Sequence, residues 1–336
     1  MQEALFYEKE SKSRVRCHLC WHQCLIAPGK RGRCGVRENR DGSLVSLVYG
    51  QLVAGGADPV EKKPLYHFLP GTQSYSISTV GCNFTCLHCQ NHQLSQYPIE
   101  RGGGIIGRVQ TPAEVVASAG RHHCESISYT YVEPTIFYEF TRDCAELAHQ
   151  KTIKNIYVSN GYMSSDAVKE MATFLDGVNI DIKAMNDHFY KEVCNARLQP
   201  VLDNVRFFYE LGVWVEITTL IIPGLNDRKE ELRQLATFIV EIDPEIPWHI
   251  SAFRPMYKMM DCPPATINHL ASALQVGKEA GLHHIYMGNV VGAGETTYCP
   301  GCGEAVVERR GYTIQNNQLY DGRCPKCNTR IAGCWS

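Results

Sequence analysis

The chain has 336 residues, a formal net charge of −2 and 44% hydrophobic residues, which is enough for one barrel-sized domain with small attachments. The near-neutral charge argues against nucleic-acid and anionic membrane partners, because both bind strongly basic surfaces. The sequence contains no run of 18 apolar residues, the length needed to span a bilayer, and its N-terminal residues lack the apolar core of a signal peptide. We therefore expect a soluble cytoplasmic protein.

Cysteine is the unusual residue, with 16 copies, eleven of which fall into three groups with short internal spacings. In a long cytosolic chain such groups predict metal binding rather than disulfides. The other five are scattered, and we interpret them as small buried hydrophobic residues: Cys124, Cys144, Cys194, Cys262 and Cys334.

The first group lies in residues 1–70, which we interpret as a Cys-rich N-terminal extension. Its members are Cys17, Cys20, Cys24 and Cys34, in the spacing C-x2-C-x3-C-x9-C. A zinc ion and an auxiliary iron–sulfur cluster both use four thiolates, and the spacing leaves both open. Further along, residues 44–53 predict a strand pair that turns at Gly50. The proline-containing residues 58–71 predict an extended segment beside the second cysteine group.

The second group, Cys82, Cys86 and Cys89, directly follows a predicted strand at residues 75–80. Its C-x3-C-x2-C spacing places three thiols on one loop at the carboxyl end of that strand. Three thiolates can hold three irons of a [4Fe–4S] cluster and leave the fourth iron open to a small molecule. A structural zinc loop or three buried thiols is the competing interpretation.

Predicted strands and helices then alternate, which indicates parallel βαβ units. The predicted strands are 126–132, 155–159, 178–183, 213–222, 248–253 and 284–290. The predicted helices are 135–150, 164–175, 186–194 with 200–211, 227–242 and 264–280. With the strand before the cluster loop, this series predicts an α/β fold, a partial or full TIM-like barrel over residues 71–292, with its chemistry at the carboxyl ends of the strands.

Polar residues follow several of these strands, and we expect them to face the cluster loop. They are Glu133, Ser159, Asn160, Asp181 and Lys183. Each by itself is compatible with an ordinary turn or helix cap. Asp181 is flanked by apolar residues, so its carboxylate needs a partner such as a ribose hydroxyl or a lysine.

The third group lies in residues 293–336, which we interpret as a zinc-ribbon-like tail. Two C-P-x-C knuckles, Cys299 with Cys302 and Cys324 with Cys327, are separated by 21 residues. This spacing predicts a zinc site, and a rubredoxin-like iron site would use the same ligands. A domain of this size needs such a site because it cannot bury an adequate core alone.

The cluster-loop motif resembles that of the radical S-adenosylmethionine (SAM) enzymes. Over residues 75–290 the chain also resembles the activating enzymes of glycyl-radical enzymes, of which pyruvate formate-lyase activating enzyme is the prototype. The resemblance implies that the open iron binds SAM and that an electron from the cluster cleaves it to a 5′-deoxyadenosyl radical. It also implies a reducing flavodoxin or ferredoxin.

The same resemblance implies contacts with SAM. Glu133 stands in the position of the family's Gly-Gly-Glu segment, although Tyr131 and Val132 replace the glycines. Ser159-Asn160-Gly161 matches a Thr-Asn-Gly segment, and Asp181-Ile182-Lys183 matches an Asp-x-Lys segment. His88 occupies an aromatic position that stacks near adenine. The implied SAM-binding residues are His88, Glu133, Ser159, Asn160, Asp181 and Lys183.

Over its full length the chain resembles the radical SAM protein of the AmmeMemoRadiSam system, which carries a similar N-terminal cysteine segment and Cys-rich tail. This resemblance implies AMMECR1-like and Memo-like partners. Our leading hypothesis is a radical SAM oxidoreductase acting on a glycyl-radical-type partner protein or on a small molecule. A non-enzymatic zinc-binding interaction module is the alternative.

Overall fold

The computed structural model describes residues 2–290 and 294–335. The N-terminal extension consists of short strands in two small antiparallel sheets, ordered β2-β3-β4 and β1-β6-β5. The strands are β1 (Gln2–Glu3), β2 (Tyr7–Glu10), β3 (Arg14–Cys17), β4 (Leu25–Ile26), β5 (Arg37–Arg40), β6 (Ser43–Ser46) and β7 (Gln51–Leu52).

The predicted strand pair at residues 44–53 is wrong in its pairing. The chain does turn at Gly50, whose φ is +72°, but β6 pairs with β1 and β5. β7 pairs instead with residues 108–109. A Cβ at position 50 would lie 2.6 Å from the Gln110 carbonyl oxygen, so a glycine is needed where these two segments meet.

The next strands are β8 (Ala54–Pro59), β9 (Gln73–Ser78), β10 (Arg108–Val109), β11 (Ser126–Tyr129), β12 (Lys154–Ser159), β13 (Gly177–Asp181), β14 (Trp214–Ile221), β15 (Trp248–Ala252) and β16 (Ile285–Gly288). Within the described residues, all of these except β10 form one eight-stranded sheet in the order β8-β9-β11-β12-β13-β14-β15-β16. Neighbours from β9 to β16 are parallel, whereas β8 is antiparallel to β9. Because β8 and β16 do not pair with each other, this is a partial barrel, as the sequence predicted.

Helices connect the parallel strands. They are α1 (His92–Ser95), α2 (Tyr97–Glu100), α3 (Pro112–Arg121), α4 (Tyr138–His149), α5 (Ser165–Met171), α6 (Asp187–Phe189), α7 (Gln199–Glu210), α8 (Lys229–Ile242) and α9 (Ile267–Ala280). α3 begins with a capping box between Thr111 and Glu114 and a proline in its first turn, which satisfies backbone donors that the helix leaves unpaired. Among the described residues, no helix has the length and apolar content needed to cross a bilayer.

The segment between β8 and β9 closes the end of the barrel opposite the cluster loop. Its Pro64 carbonyl accepts a hydrogen bond from Asn179 Nδ2 at 2.7 Å, and Glu216 accepts from the backbone N–H groups of Tyr66 and His67 at 3.0 and 2.8 Å. The Phe68 ring packs against Gly177 so closely that a Cβ at position 177 would lie only 3.0 Å from it. The prediction that this segment lies beside the cluster loop is therefore wrong, because it precedes the amino end of β9.

The pairing of β8 also affects where the N-terminal extension ends and the barrel begins. Residues 54–59 belong to the barrel sheet, so the expected boundary at residue 70 falls inside barrel structure. We propose a boundary near residue 53 instead.

The C-terminal tail packs against β16 and against the segment between β8 and β9. It forms an antiparallel sheet of β17 (Thr297–Tyr298), β18 (Ala305–Arg310) and β19 (Thr313–Asn317). The buried Arg309 guanidinium donates to the Tyr66 carbonyl at 2.7 Å and to Thr297 Oγ1 at 2.8 Å. Tyr286 on β16 is within 2.8 Å of the same Thr297 hydroxyl. Arg309 thus joins the tail to the segment between β8 and β9 directly and to β16 through Thr297.

Replacing Arg309 by Met should destabilise the protein by about 3 kcal/mol, because it removes buried charge-assisted hydrogen bonds and leaves the Tyr66 carbonyl without its donor. Urea unfolding would measure the change in free energy of unfolding. The exposed neighbour Arg310 is the matched control, and Arg310→Met should change stability by roughly 0.5 kcal/mol or less. Equal losses in the two variants would show that Arg309 does not hold the tail in place.

Candidate functional site

The cluster loop starts two residues after β9 and carries Cys82, Cys86 and Cys89 at the carboxyl edge of the sheet. Cys86 is buried and the other two thiols are half-buried. The Cys89 N–H donates to the Cys86 carbonyl at 3.2 Å, and the Gln96 side chain donates to the Phe84 carbonyl at 3.0 Å. The loop is therefore held by its own backbone and by the α1–α2 segment that follows it.

Gly81 sets the entry into this loop. Its φ is +97°, and a Cβ there would lie 2.6 Å from Val36 Cγ1 and 2.7 Å from the Cys34 carbonyl oxygen. A side chain would therefore clash with the N-terminal extension, which packs directly against the start of the cluster loop.

Residues 193–194 pair with the other side of the loop. Thr85 and Leu87 donate backbone N–H groups to the carbonyls of Cys194 and Val193 at 3.2 and 3.0 Å. A hydrogen bond from the Cys194 thiol, together with the Lys183 ammonium, lowers the pKa of Cys86 against the opposing effect of burial. The sequence predicts Cys194 only as a small buried hydrophobic residue, because its spacing from the other cysteines contains no signal for this contact.

The pKa values of the other two thiols shift in the opposite direction. Desolvation, followed by the nearby Glu133 carboxylate, raises the pKa of Cys82 well above its usual range, and desolvation raises the pKa of Cys89. Two of the three sulfurs therefore become thiolates only when bound cations compensate for the lost water. This is the donor set that iron ligation requires.

The spacing of the sulfurs favours a cluster over a single ion. Among the described residues, only the tail cysteines bring three or more candidate ligand atoms within 4.8 Å of one another. Tetrahedral zinc, with Zn–S bonds of about 2.3 Å, holds its sulfurs about 3.8 Å apart. The loop thiols are more widely spaced, so the competing zinc-loop interpretation is disfavoured.

Glu133 connects the carboxyl ends of β11 and β12. Its buried carboxylate accepts from Thr135 N at 3.1 Å and Oγ1 at 2.5 Å, from Ser159 Oγ at 2.8 Å and from Asn160 N at 2.8 Å. Asn160 in turn donates from Nδ2 to Asn83 Oδ1 at 2.8 Å. Glu133, Ser159 and Asn160 thus form one network that reaches the residue next to Cys82.

Tyr131 occupies the first position at which the resembled family has a glycine. Its φ is +67°, a left-handed conformation that glycine adopts without strain and tyrosine rarely adopts. The Tyr131 hydroxyl donates to Asp58 at 2.7 Å, and its carbonyl accepts from Asn91 at 2.7 Å. These contacts hold the turn in the absence of the glycine.

Asp181 and Lys183 lie together at the end of β13, with Lys183 Nζ 3.0 Å from Asp181 Oδ2. Burial alone disfavours the Lys183 ammonium, but Asp181 and the Cys86 and Cys194 thiols outweigh it and raise the pKa of Lys183 well above its usual range. Lys183 is therefore a fixed positive charge beside the cluster loop. Asn226, in the turn that follows β14, donates to the Lys183 carbonyl at 2.7 Å and so positions the backbone there.

His88 presents a neutral imidazole to this region. Burial, assisted by the Lys183 charge, lowers the pKa of His88 to about 3. Among the described residues, neither His88 Nδ1 nor Asn83 Nδ2 has a hydrogen-bond partner, although both atoms are buried. Such groups suit a polar ligand, and with the ion pair of Asp181 and Lys183 they fit SAM, which carries an amino group, a carboxylate and an adenine ring.

The four tail cysteines form a compact group of their own. Cys299 Sγ lies 3.5 Å from Cys327 Sγ, and Cys302 Sγ lies 3.7 Å from Cys324 Sγ. These distances are close to the roughly 3.8 Å between sulfurs around tetrahedral zinc. This group could therefore hold a single metal ion.

These features define a radical SAM domain. The family model described as the radical SAM superfamily matches residues 76–238, which span the cluster loop and the strands from β9 to β14. The chain accordingly contains a radical SAM domain, and its parallel sheet and cluster loop have the arrangement that the sequence predicted.

Two archaeal proteins and one crystal structure illustrate the relationship. An uncharacterized protein of Methanocaldococcus jannaschii is 44% identical over 98% of this chain and 99% of its own length, so the two belong to one family. A putative glycyl-radical enzyme activating enzyme of the same organism is 25% identical over 63% of this chain and 75% of its own length. A radical SAM methyltransferase from Sphaerobacter thermophilus shares the fold, with a TM-score of 0.51, 16% identity, and coverage of 66% of this chain and 67% of that one.

Glu133→Gln should destabilise the protein by about 2 kcal/mol, because an amide cannot accept hydrogen bonds through its nitrogen and would leave buried donors unpaired. The exposed Glu125, which lies before β11, provides the control Glu125→Gln. Chemical denaturation of both variants would test this. A loss confined to SAM binding, with stability unchanged, would contradict the positioning role of Glu133.

Proposed function

We propose that this enzyme abstracts a hydrogen atom from its substrate by radical SAM chemistry. The observation that carries the proposal is the meeting of three spaced thiols with the ion pair of Asp181 and Lys183 at one edge of the sheet. A [4Fe–4S] cluster with one open iron supplies, when bound with SAM, the reductive cleavage that yields a 5′-deoxyadenosyl radical. The hard chemistry belongs to the cofactors, and the protein positions them.

The chain's own residues have separate parts in this proposal. Cys82, Cys86 and Cys89 hold three irons, and the hydrogen bond from Cys194 favours the thiolate of Cys86. Asp181 and Lys183 offer opposite charges to the amino and carboxylate groups of SAM. His88 is neutral and so can stack on the adenine ring.

The network around Glu133 supports a positioning part in SAM binding. The Glu133 carboxylate already accepts hydrogen bonds from Ser159 and Asn160, so it holds those two residues in place. The Asn160 side chain then fixes Asn83, beside the first cluster cysteine. In this view Ser159 and Asn160 present the SAM-facing surface, and Glu133 acts through them.

A glycyl-radical-type partner protein is the proposed substrate. The supporting observation is the similarity to a putative glycyl-radical enzyme activating enzyme. A one-electron donor such as flavodoxin or ferredoxin completes the reaction. The likeness of the cysteine arrangement to the AmmeMemoRadiSam radical SAM proteins also suggests AMMECR1-like and Memo-like proteins as partners. For the tail we propose zinc, on the strength of its sulfur spacing.

A small-molecule substrate is the second candidate, and one cavity favours it. A cavity of about 320 Å³ opens inside the barrel between β15, β16 and the tail, a size in the range of small-ligand pockets. Its lining includes Lys62, Arg254, Tyr66, Tyr286 and Tyr312. Glu61 and Glu295 also line the cavity, and Lys62 is paired with Asp58, so an anionic group of a small molecule would bind at Arg254.

Cys86→Ala should abolish SAM cleavage, because it removes one of three iron ligands. Anaerobically reconstituted protein would be incubated with SAM and dithionite, and 5′-deoxyadenosine would be measured by chromatography. Cys144→Ala, which removes an equally buried thiol in α4, should retain cleavage. Wild-type protein that contains iron but forms no 5′-deoxyadenosine would overturn the proposal.

Deuterium transfer separates the two substrate candidates. If the substrate is a protein, glycine-deuterated partner should transfer deuterium into 5′-deoxyadenosine, and Arg254→Ala should leave the yield of deuterated product unchanged. If it is a small anion bound in the cavity, Arg254→Ala should raise the KM for that anion about tenfold or more, the effect of losing one charge-assisted contact of roughly 1.5 kcal/mol. The exposed Arg233→Ala is the control in both cases.

A further inference from the structure

The four N-terminal cysteines surround one enclosed space next to the cluster loop. Cys17 ends β3, Cys20 and Cys24 lie in the loop that follows, and Cys34 lies shortly before β5. All four line a cavity of about 20 Å³. Cys17 and Cys34 are buried and the other two are half-buried. The sequence left open whether a zinc ion or a cluster belongs here.

The tail cysteines provide an internal standard for a single-ion site. Their four sulfurs all lie within 4.8 Å of one another, and within the described residues the N-terminal cysteines contain no three sulfurs that meet this limit. Four thiolates around one zinc ion lie about 3.8 Å apart and leave no room for another atom. Within the described residues, the N-terminal sulfurs are held farther apart than such a zinc site requires. The site therefore suits a group larger than one ion.

Arg37 gives an independent indication that this group is anionic. Its guanidinium is buried and lines the same cavity. Nη2 donates to Glu139 at 2.6 Å and to the Leu5 carbonyl at 2.7 Å, but Nε and Nη1 have no partner among the described residues. Unpaired buried donors cost about 1–3 kcal/mol each. Sulfides and thiolates of a cluster would accept hydrogen bonds from such groups.

We propose that Cys17, Cys20, Cys24 and Cys34 bind a second [4Fe–4S] cluster in which every iron has a protein ligand. This cluster would share a wall with the cluster loop. Asn83, the residue after Cys82, lines the N-terminal cavity, and its carbonyl is 2.8 Å from His22 Nε2. The Cys34 carbonyl also meets the loop at Gly81. The proposal does not depend on SAM cleavage and can be tested without activity.

The test compares the metal content of full-length variants after anaerobic reconstitution. The variant with Cys82→Ala, Cys86→Ala and Cys89→Ala together should retain about four irons and four sulfides per chain, whereas wild-type protein should contain about eight of each. Electron paramagnetic resonance of the reduced triple variant should show a cluster signal that SAM does not change, because no iron is open. Cys124→Ser, at a buried cysteine outside the three groups, should keep the wild-type metal content.

Removing the N-terminal ligands should give the complementary result. Cys17→Ser with Cys34→Ser should lower iron from about eight to about four per chain and leave a signal that SAM alters. The single variant Cys24→Ala, at a half-buried position, serves if the double variant does not fold. A triple variant that holds no iron and two zinc ions, or no iron and one zinc ion, would overturn the proposal. Equal iron in the wild type and the triple variant would instead refute the cluster at Cys82, Cys86 and Cys89.

Discussion

The open edge of the parallel sheet is the constraint on which the rest of the structure depends. Within the described residues β8 and β16 are edge strands that do not meet, and the interior between them contains charged side chains that need partners. Glu216 on β14 shows how this need is met. It accepts from two backbone N–H groups of the closing segment, from Trp214 Nε1 at 3.1 Å, and lies 2.6 Å from His249 Nε2.

The segment between β8 and β9 and the C-terminal tail therefore both complete the barrel. The segment between β8 and β9 closes the amino end of the strands and donates backbone hydrogen bonds to the Glu216 carboxylate. The tail, joined through Arg309, packs against that segment and β16 and forms part of the wall of the 320 Å³ cavity. The cluster loop lies at the opposite, carboxyl edge, which is the edge where barrels of this type carry their chemistry.

At the carboxyl edge, the residues that hold the site differ from those that face it. Glu133 and Asn226 use their hydrogen bonds to join neighbouring strand ends, so these bonds hold the protein's own structure in place. Among the residues that the structure describes, His88 and Asn83 have buried polar atoms without hydrogen-bond partners, and Lys183 keeps its charge beside the cluster loop. The N-terminal extension completes this edge, because Cys34 packs against the start of the loop at Gly81.

The amino-acid sequence by itself determined the three cysteine groups, the alternation of strands and helices, and the polar residues at the strand ends. These features depend on local spacing and periodicity, and the residues concerned lie a few positions apart. Only the tertiary structure decided what depends on distances between remote segments. It brought Cys194 against Cys86, placed residues 60–70 at the amino end of the barrel and set the N-terminal sulfurs farther apart than the tail sulfurs. Spacing along a chain limits how close two sulfurs can come, but packing sets how far apart they are held, and that separation distinguishes an ion from a cluster.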